Sequence, residues 1–131
     1  MGTRSLTFVF DEQNNKIMCL YRHFDGYPTG HGADLSNFLN SFDAIVYGIS
    51  FEEKRKVANG MGCLAAQMVA HFKQSVGAFY LIDPNTIDAG QDYEYHVFEN
   101  KIKVLEFENC IFEGTWKEFS EFTQETTVTE E

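Results

Sequence analysis

The chain has 131 residues, of which 44% are hydrophobic and 23% are charged. That length suits one domain with its own core and is too short for two. Twenty acidic against ten basic residues give a formal net charge of −10. This balance argues against direct nucleic-acid binding or an anionic-membrane surface, because both partners repel a negative protein.

The sequence offers no membrane or disulfide signature. It contains no apolar run of about 18 residues, and residues 1–5 lack the apolar stretch of a signal peptide. Cys19, Cys63 and Cys110 are odd in number and far apart, which fits neither a disulfide framework nor a zinc site. We expect a soluble cytoplasmic protein in which Cys19 and Cys63 are small core residues.

The first half begins with a predicted hairpin. Leu6, Phe8 and Phe10 alternate with other residues, and a two-residue turn at Asn14 and Asn15 leads into a second apolar run at 17–21. Such a turn would place Leu6 opposite His23, Phe8 opposite Tyr21 and Arg4 opposite Asp25.

Helical patterns follow a glycine-rich segment at 25–32. The apolar spacing from Leu35 to Phe42 predicts one helix, and that from Met61 to Phe72 predicts another, which ends near Gly77. The sequence at 50–53 resembles a capping box and predicts a further helix between them.

Strands return in the second half. Apolar runs predict strands at 78–82, 93–98, 102–107 and 109–112, with a turn at 99–101 and a β-bulge between Val104 and Leu105. Thr115 and Glu118 fit a capping box that opens a final helix. The predicted fold is α+β in a single domain, 1–125, followed by a polar flexible tail, 126–131. An antiparallel sheet, formed by the N-terminal hairpin and about three C-terminal strands, packs with three to four helices.

Acidic residues concentrate at the C-terminal end. Residues 94–131 hold ten acidic residues against three lysines. A solvated helix face accounts for this pattern. The alternative is a negative surface, including Glu118, Glu121 and Glu125, that meets a basic partner.

The segment at 21–32 carries the strongest functional signal. It gathers an arginine, two histidines and three glycines between a strand and a helix. Glycines permit close backbone approach and a helix N-terminus favours an anion, while an arginine grips phosphate or carboxylate with two hydrogen bonds. The predicted ligand-binding residues are Arg4, Arg22, His23, Asp25, Tyr27, Thr29 and His31.

Two other interpretations of this segment remain open. The glycines and Pro28 simply make turns, with His31 or Asp34 capping the helix, or else His23, Asp25 and His31 hold a metal or act as acid and base. The segment is not a Walker A loop and lacks a Rossmann context. We assign no catalytic residue, metal or cofactor, and we expect His71 and His96 to be hydrogen-bonded structural histidines.

Two segments of the chain resemble a known family. Residues 1–7 (MGTRSLT) and 21–32 (YRHFDGYPTGHG) are similar to a family of small hypothetical bacteriophage and bacterial proteins. The resemblance implies an accessory protein in the cytoplasm of an infected bacterial host. By analogy with inhibitors of host defence, it implies a protein that sequesters a nucleotide immune signal as a small oligomer.

These observations favour a non-enzymatic protein that binds an anionic, nucleotide-like small molecule and counteracts host defence signalling. The first alternative is an acidic inhibitor that binds a host protein. The second is a metal-assisted hydrolase that uses His23, Asp25 and His31. A homo-oligomer is expected, because unpaired edge strands and abundant phenylalanine suit burial between subunits.

Overall fold

A computed structural model describes the backbone of residues 2–130 and the side chains of residues 2–124. The elements in chain order are β1 (Ser5–Phe10), β2 (Lys16–Arg22), a π-helical turn (Pro28–Gly32), α1 (Ala33–Asn40), β3 (Ala44–Val46), β4 (Val57–Asn59), α2 (Gly60–Phe72), β5 (Phe79–Ile82), β6 (Tyr93–Val97), β7 (Ile102–Glu106), β8 (Asn109–Gly114) and α3 (Trp116–Glu130). The α+β class is confirmed. The predicted tail, 126–131, falls on residues whose side chains lie outside this description.

Six strands form one sheet in the order β5-β2-β1-β6-β7-β8. All neighbours are antiparallel except β1 and β6, which run parallel. The N-terminal hairpin and the three C-terminal strands therefore join in one mostly antiparallel sheet. A separate pair, β3 and β4, is parallel. No helix in the described part of the chain combines the length and the apolar content needed to cross a bilayer.

The central strands of the sheet carry buried apolar side chains on both faces. Because alternate residues of a strand point to opposite sides, Val9 of β1 joins the main core beneath the helices, whereas Leu6 and Phe8 join a smaller cluster with Cys19. The connection from β5 to β6 returns across this second face, where Ala89 packs against the cluster. The pKa of the buried Cys19 thiol is raised to about 12 by desolvation, so Cys19 behaves as a core residue.

The predicted hairpin register is wrong. Leu6 lies opposite Tyr21 and Phe8 opposite Cys19, which places each partner two positions from the one expected. The cause is a longer loop, in which the Asp11 carboxylate accepts hydrogen bonds of 2.9 Å from the backbone N–H groups of Gln13 and Asn15. Arg4 consequently does not lie opposite Asp25.

The helix predicted from residue 50 is also absent from the structure. Glu53 accepts a 2.8 Å hydrogen bond from Arg55 instead of capping a helix, and Ile49 and Phe51 are exposed. With no apolar face to bury, the segment remains a loop between β3 and β4. The two other predicted helices correspond to α1 and α2, although α2 ends at Phe72 and Gly77 lies in the link to β5.

The predicted C-terminal features are confirmed. The register shifts between Val104 and Leu105, as a bulge requires. Thr115 Oγ1 accepts a 3.1 Å hydrogen bond from the N–H of Glu118, whose carboxylate accepts one of 2.8 Å from the N–H of Thr115. This reciprocal capping starts α3 and directs Phe119 into the core, where it is fully buried.

The glycine-rich segment folds against the chain's beginning. Gly26 donates its N–H to the carbonyl of Thr3 at 2.8 Å, and its own carbonyl accepts a 2.7 Å hydrogen bond from the hydroxyl of Tyr95. A Cβ atom at Gly30 would overlap the carbonyl oxygen of Asp25. The segment has no room for a side chain at that position.

We therefore predict that Gly30→Ala destabilises the protein, by about 1–3 kcal/mol as for other overpacked sites. Gly62→Ala is the matched control: Gly62 lies within α2, and an added Cβ there meets nothing within 4 Å. It should raise the free energy of unfolding by up to about 1 kcal/mol, because alanine is the better helix former. Urea denaturation measures both. Equal stability of the two variants would contradict the steric constraint at Gly30.

Candidate functional site

A buried histidine lies at the centre of the glycine-rich segment. His31 is fully buried, with Nε2 2.7 Å from Thr7 Oγ1 and Nδ1 3.3 Å from Nη1 of Arg22. Desolvation, with a smaller contribution from the Arg22 charge, lowers its pKa to about 3. A guanidinium only donates, so Nδ1 is the acceptor and the neutral ring carries its proton on Nε2, which donates to Thr7.

Arg22 is held from several sides. Its Nε donates to the carbonyl of Phe24 at 2.7 Å, its Nη1 pairs with the Asp34 carboxylate at 2.9 Å, and its guanidinium lies 5.0 Å from the centre of the Phe79 ring. The Arg22 side chain is 15% exposed, whereas that of Asp34 is 53% exposed. The guanidinium is thus anchored, with a limited part of it open to solvent.

The sheet separates the predicted cationic residues. Arg22 and His31 lie on the helix face, where His31 contacts the ring of Phe72. His23 lies on the second face, with Nδ1 2.8 Å from the hydroxyl of Tyr21, a residue of the smaller cluster. Arg4 precedes β1 and extends towards Gly90, where an added Cβ would lie 3.5 Å from Nη1. The structure therefore brings Arg22 and His31 together, but not with Arg4 or His23.

The remaining predicted residues lie beside an acidic cleft. Tyr27 donates its hydroxyl to the carboxylate of Asp25 at 3.2 Å. Tyr27 and Thr29 line a cleft of about 530 Å³, whose other described lining residues are Thr3, Asp92, Tyr93, Glu106 and Phe107. The charged residues among them are both carboxylates, so this cleft does not favour the anionic ligand expected from the sequence.

The metal-dependent alternative is not supported by this geometry. Both ring nitrogens of His31 are engaged within the protein, and His23 lies on the other face of the sheet. Among the residues whose side chains the structure describes, no group of three histidine, cysteine, aspartate or glutamate side chains is arranged to hold a metal ion.

The other two histidines differ from each other. His96 is a structural histidine, as predicted: its Nε2 lies 2.9 Å from the carboxylate of Glu94 and lowers the pKa of that carboxyl. His71 is exposed and packs its ring 4.9 Å from that of Phe38. The His71 ring makes no hydrogen bond within residues 2–124, so the expected hydrogen-bonded role is wrong for His71, whose ring instead packs against Phe38 and Phe72.

A second cleft adjoins the anchored arginine. It measures about 420 Å³ and is lined by Arg22, Asp34, Asn37, His71, Phe72, Gln74 and Phe79. Gln74 donates its amide to the carbonyl of His71 at 2.6 Å, which orders this wall. Sequence reasoning found Arg22 but missed Asn37, His71 and Gln74, because α1 and α2 bring them to Arg22 only in the folded chain.

Comparisons with protein-family models, curated proteins and solved structures found no significant match. The resemblance of residues 1–7 and 21–32 to phage and bacterial proteins therefore stays a prediction, and the site is interpreted from its own geometry.

The buried His31 predicts a pH dependence of stability. In the unfolded chain the His31 imidazole has its ordinary pKa of 6.5, whereas in the folded protein its pKa is about 3. Between these two pH values the unfolded chain therefore binds a proton that the folded protein does not. This contribution is fully present above pH 6.5 and is lost as the pH falls towards 3, by about 1.4 kcal/mol per pH unit. The stability difference between wild type and His31→Asn should shrink by about 2 kcal/mol between pH 7 and pH 5.

Urea denaturation at the two pH values measures that difference. Nitrogen chemical shifts of the imidazole supply a second readout in the wild type, which is needed if His31→Asn does not fold. The His31 ring should remain neutral at pH 5. Titration of His31 near pH 6.5 in the folded protein would contradict the assignment.

Proposed function

We propose that this protein is a non-enzymatic binding protein that receives the anionic group of a small ligand at Arg22, in the cleft between α1 and α2. The observation that carries the proposal is the anchored guanidinium of Arg22 on the wall of a cleft of about 420 Å³. The proposal retains the anion-binding protein predicted from the sequence. It retains Arg22 from the predicted binding residues and adds Asn37, His71 and Gln74.

Anchoring prepares Arg22 for recognition. Its bond to the Phe24 carbonyl and its position over Phe79 fix the side chain before any ligand arrives. A preorganised side chain loses little conformational entropy on binding. Because Nε and Nη1 are engaged within the protein, the Nη2 amino group supplies the N–H donors for a phosphate or carboxylate oxygen.

The neighbouring residues complete a small-molecule site. Asn37, His71 and Gln74 place polar groups on the cleft, while Phe72 and Phe79 provide apolar wall. A few polar groups set in a mainly apolar hollow are typical of ligand sites. This combination supports a ligand with an anionic group joined to a flat or apolar part, and a nucleotide-like molecule is one such ligand.

Binding fits the cleft better than catalysis. Covalent catalysis needs a nucleophile activated by an adjacent base. Asp34 and His71 are the described lining residues of that type, and the Asp34 carboxylate is paired with Arg22 instead of with a base. In the acidic C-terminal alternative, one of the three named carboxylates, Glu118, is already engaged in capping α3. The role against host defence and the oligomeric state remain predictions from the sequence.

We predict that Asn37→Ala and His71→Ala each weaken the binding of adenosine monophosphate about tenfold, since hydrogen bonds to charged groups contribute about 1.5–3 kcal/mol. Both residues are exposed, so the fold should be retained. Titration calorimetry measures the affinity, and amide chemical shifts should change in α1 and at the end of α2. Arg22 is avoided as a probe because it also supports His31.

Asn100→Ala is the matched control, since Asn100 is an exposed asparagine in the turn between β6 and β7, at the opposite end of the sheet from Arg22. It should leave the affinity unchanged. The proposal is overturned if neither adenosine monophosphate nor a smaller phosphate monoester binds the wild type, or if Asn37→Ala and His71→Ala bind adenosine monophosphate as tightly as the wild type does.

A further inference from the structure

The Arg22 cleft pairs a positive with a negative group on the same wall. Arg22 Nη1 and Asp34 Oδ2 are 2.9 Å apart, and both residues line the cleft. The opposite charges of Arg22 and Asp34 therefore cancel within the described lining. A simple anion gains attraction from Arg22 and meets repulsion from Asp34 at almost the same distance.

Asp34 is well placed to contact a ligand. Its carboxylate accepts a hydrogen bond from Arg22 through Oδ2, whereas Oδ1 accepts none from the described part of the chain. Just over half of the side chain, 53%, is exposed. Asp34 also lies in the first turn of α1, where the partial positive charge of the helix N-terminus favours a carboxylate. The negative group is thus a stable feature of the cleft wall.

We infer that the ligand is zwitterionic: it carries a cationic hydrogen-bond donor beside its anionic group, Arg22 receives the anion and Asp34 receives the donor. This inference rests on the proposed function and makes Asp34 the residue that determines ligand class. Only such a ligand matches both charges of the pair instead of opposing one of them. Because those charges are adjacent, a short linker such as two carbons suits the ligand.

Two probes isolate the cationic group. They are 2-aminoethyl phosphate and ethyl phosphate, which share a phosphate monoester and a two-carbon chain and differ by one ammonium group. The wild type should bind 2-aminoethyl phosphate about fivefold more tightly, the ratio expected for one unit-charge contact in a solvent-like environment. Competition calorimetry or amide shift titration gives the two affinities.

Asp34→Asn tests the assigned residue. Asparagine preserves the size of the side chain but removes its charge, so ethyl phosphate should bind more tightly and the preference for 2-aminoethyl phosphate should disappear. Glu53→Gln is the matched control, because the Glu53 carboxylate also pairs with an arginine, Arg55, at 2.8 Å and does not line the cleft. It changes the net charge equally and should retain the preference.

The outcomes separate the inference from the proposed function. Equal wild-type affinities for the two probes, or a preference that survives in Asp34→Asn, overturn the zwitterionic ligand while leaving an anion site at Arg22. A preference lost equally in Glu53→Gln overturns it as well, because net charge would then be the cause. If neither probe binds the wild type at any concentration up to the solubility limit, the proposed anion site fails and the inference fails with it.

Discussion

The hydrogen-bonded imidazole of His31 holds the centre of this structure together. It lies between Thr7 of β1 and Arg22 of β2, and it belongs to the π-helical turn that leads into α1. A buried polar group without a partner is costly, so each of the three side chains depends on the others. The ring is neutral, because a protonated imidazole would lie buried beside the Arg22 cation. The two hydrogen bonds of the neutral His31 ring thus connect β1, β2 and the π-helical turn.

The same interaction links the fold to the candidate site. Nη1 of Arg22 contacts His31 inside the protein, and the guanidinium lines the cleft between α1 and α2. A side chain fixed from within needs no further ordering to meet a ligand. The glycine-rich segment therefore contributes to binding indirectly. Gly26 and His31 bond to Thr3 and Thr7, and Arg22 is the member of the segment that lines the cleft.

Local sequence signals predicted the elements whose stabilising contacts are local. The Thr115 and Glu118 capping box and the bulge at Val104 are examples. The apolar stripe of α2 was also predicted, because its spacing is visible within the segment even though it packs against the sheet. The hairpin register failed because the side chain of Asp11 organises a longer loop than two asparagines indicate. The helix expected from residue 50 failed because a capping pattern without an apolar stripe has nothing to bury.

The separation of Arg4 from Arg22 could have been deduced without coordinates. The register error was two positions, and a shift of two leaves every side chain on the same face of a sheet. In both registers Arg22 shares a face with Ser5 and Thr7, whereas Arg4 lies one residue out of phase. The positions of Asn37 and His71 beside Arg22 could not have been deduced in this way, because they depend on how α1 and α2 pack over the sheet.

The net charge of −10 is a poor guide to the ligand, because attraction depends on the charges close to the cleft. Salt screens exposed charges beyond about 10 Å, so the adjacent Arg22 and Asp34 determine what the cleft attracts, while the remote carboxylates have little influence on it.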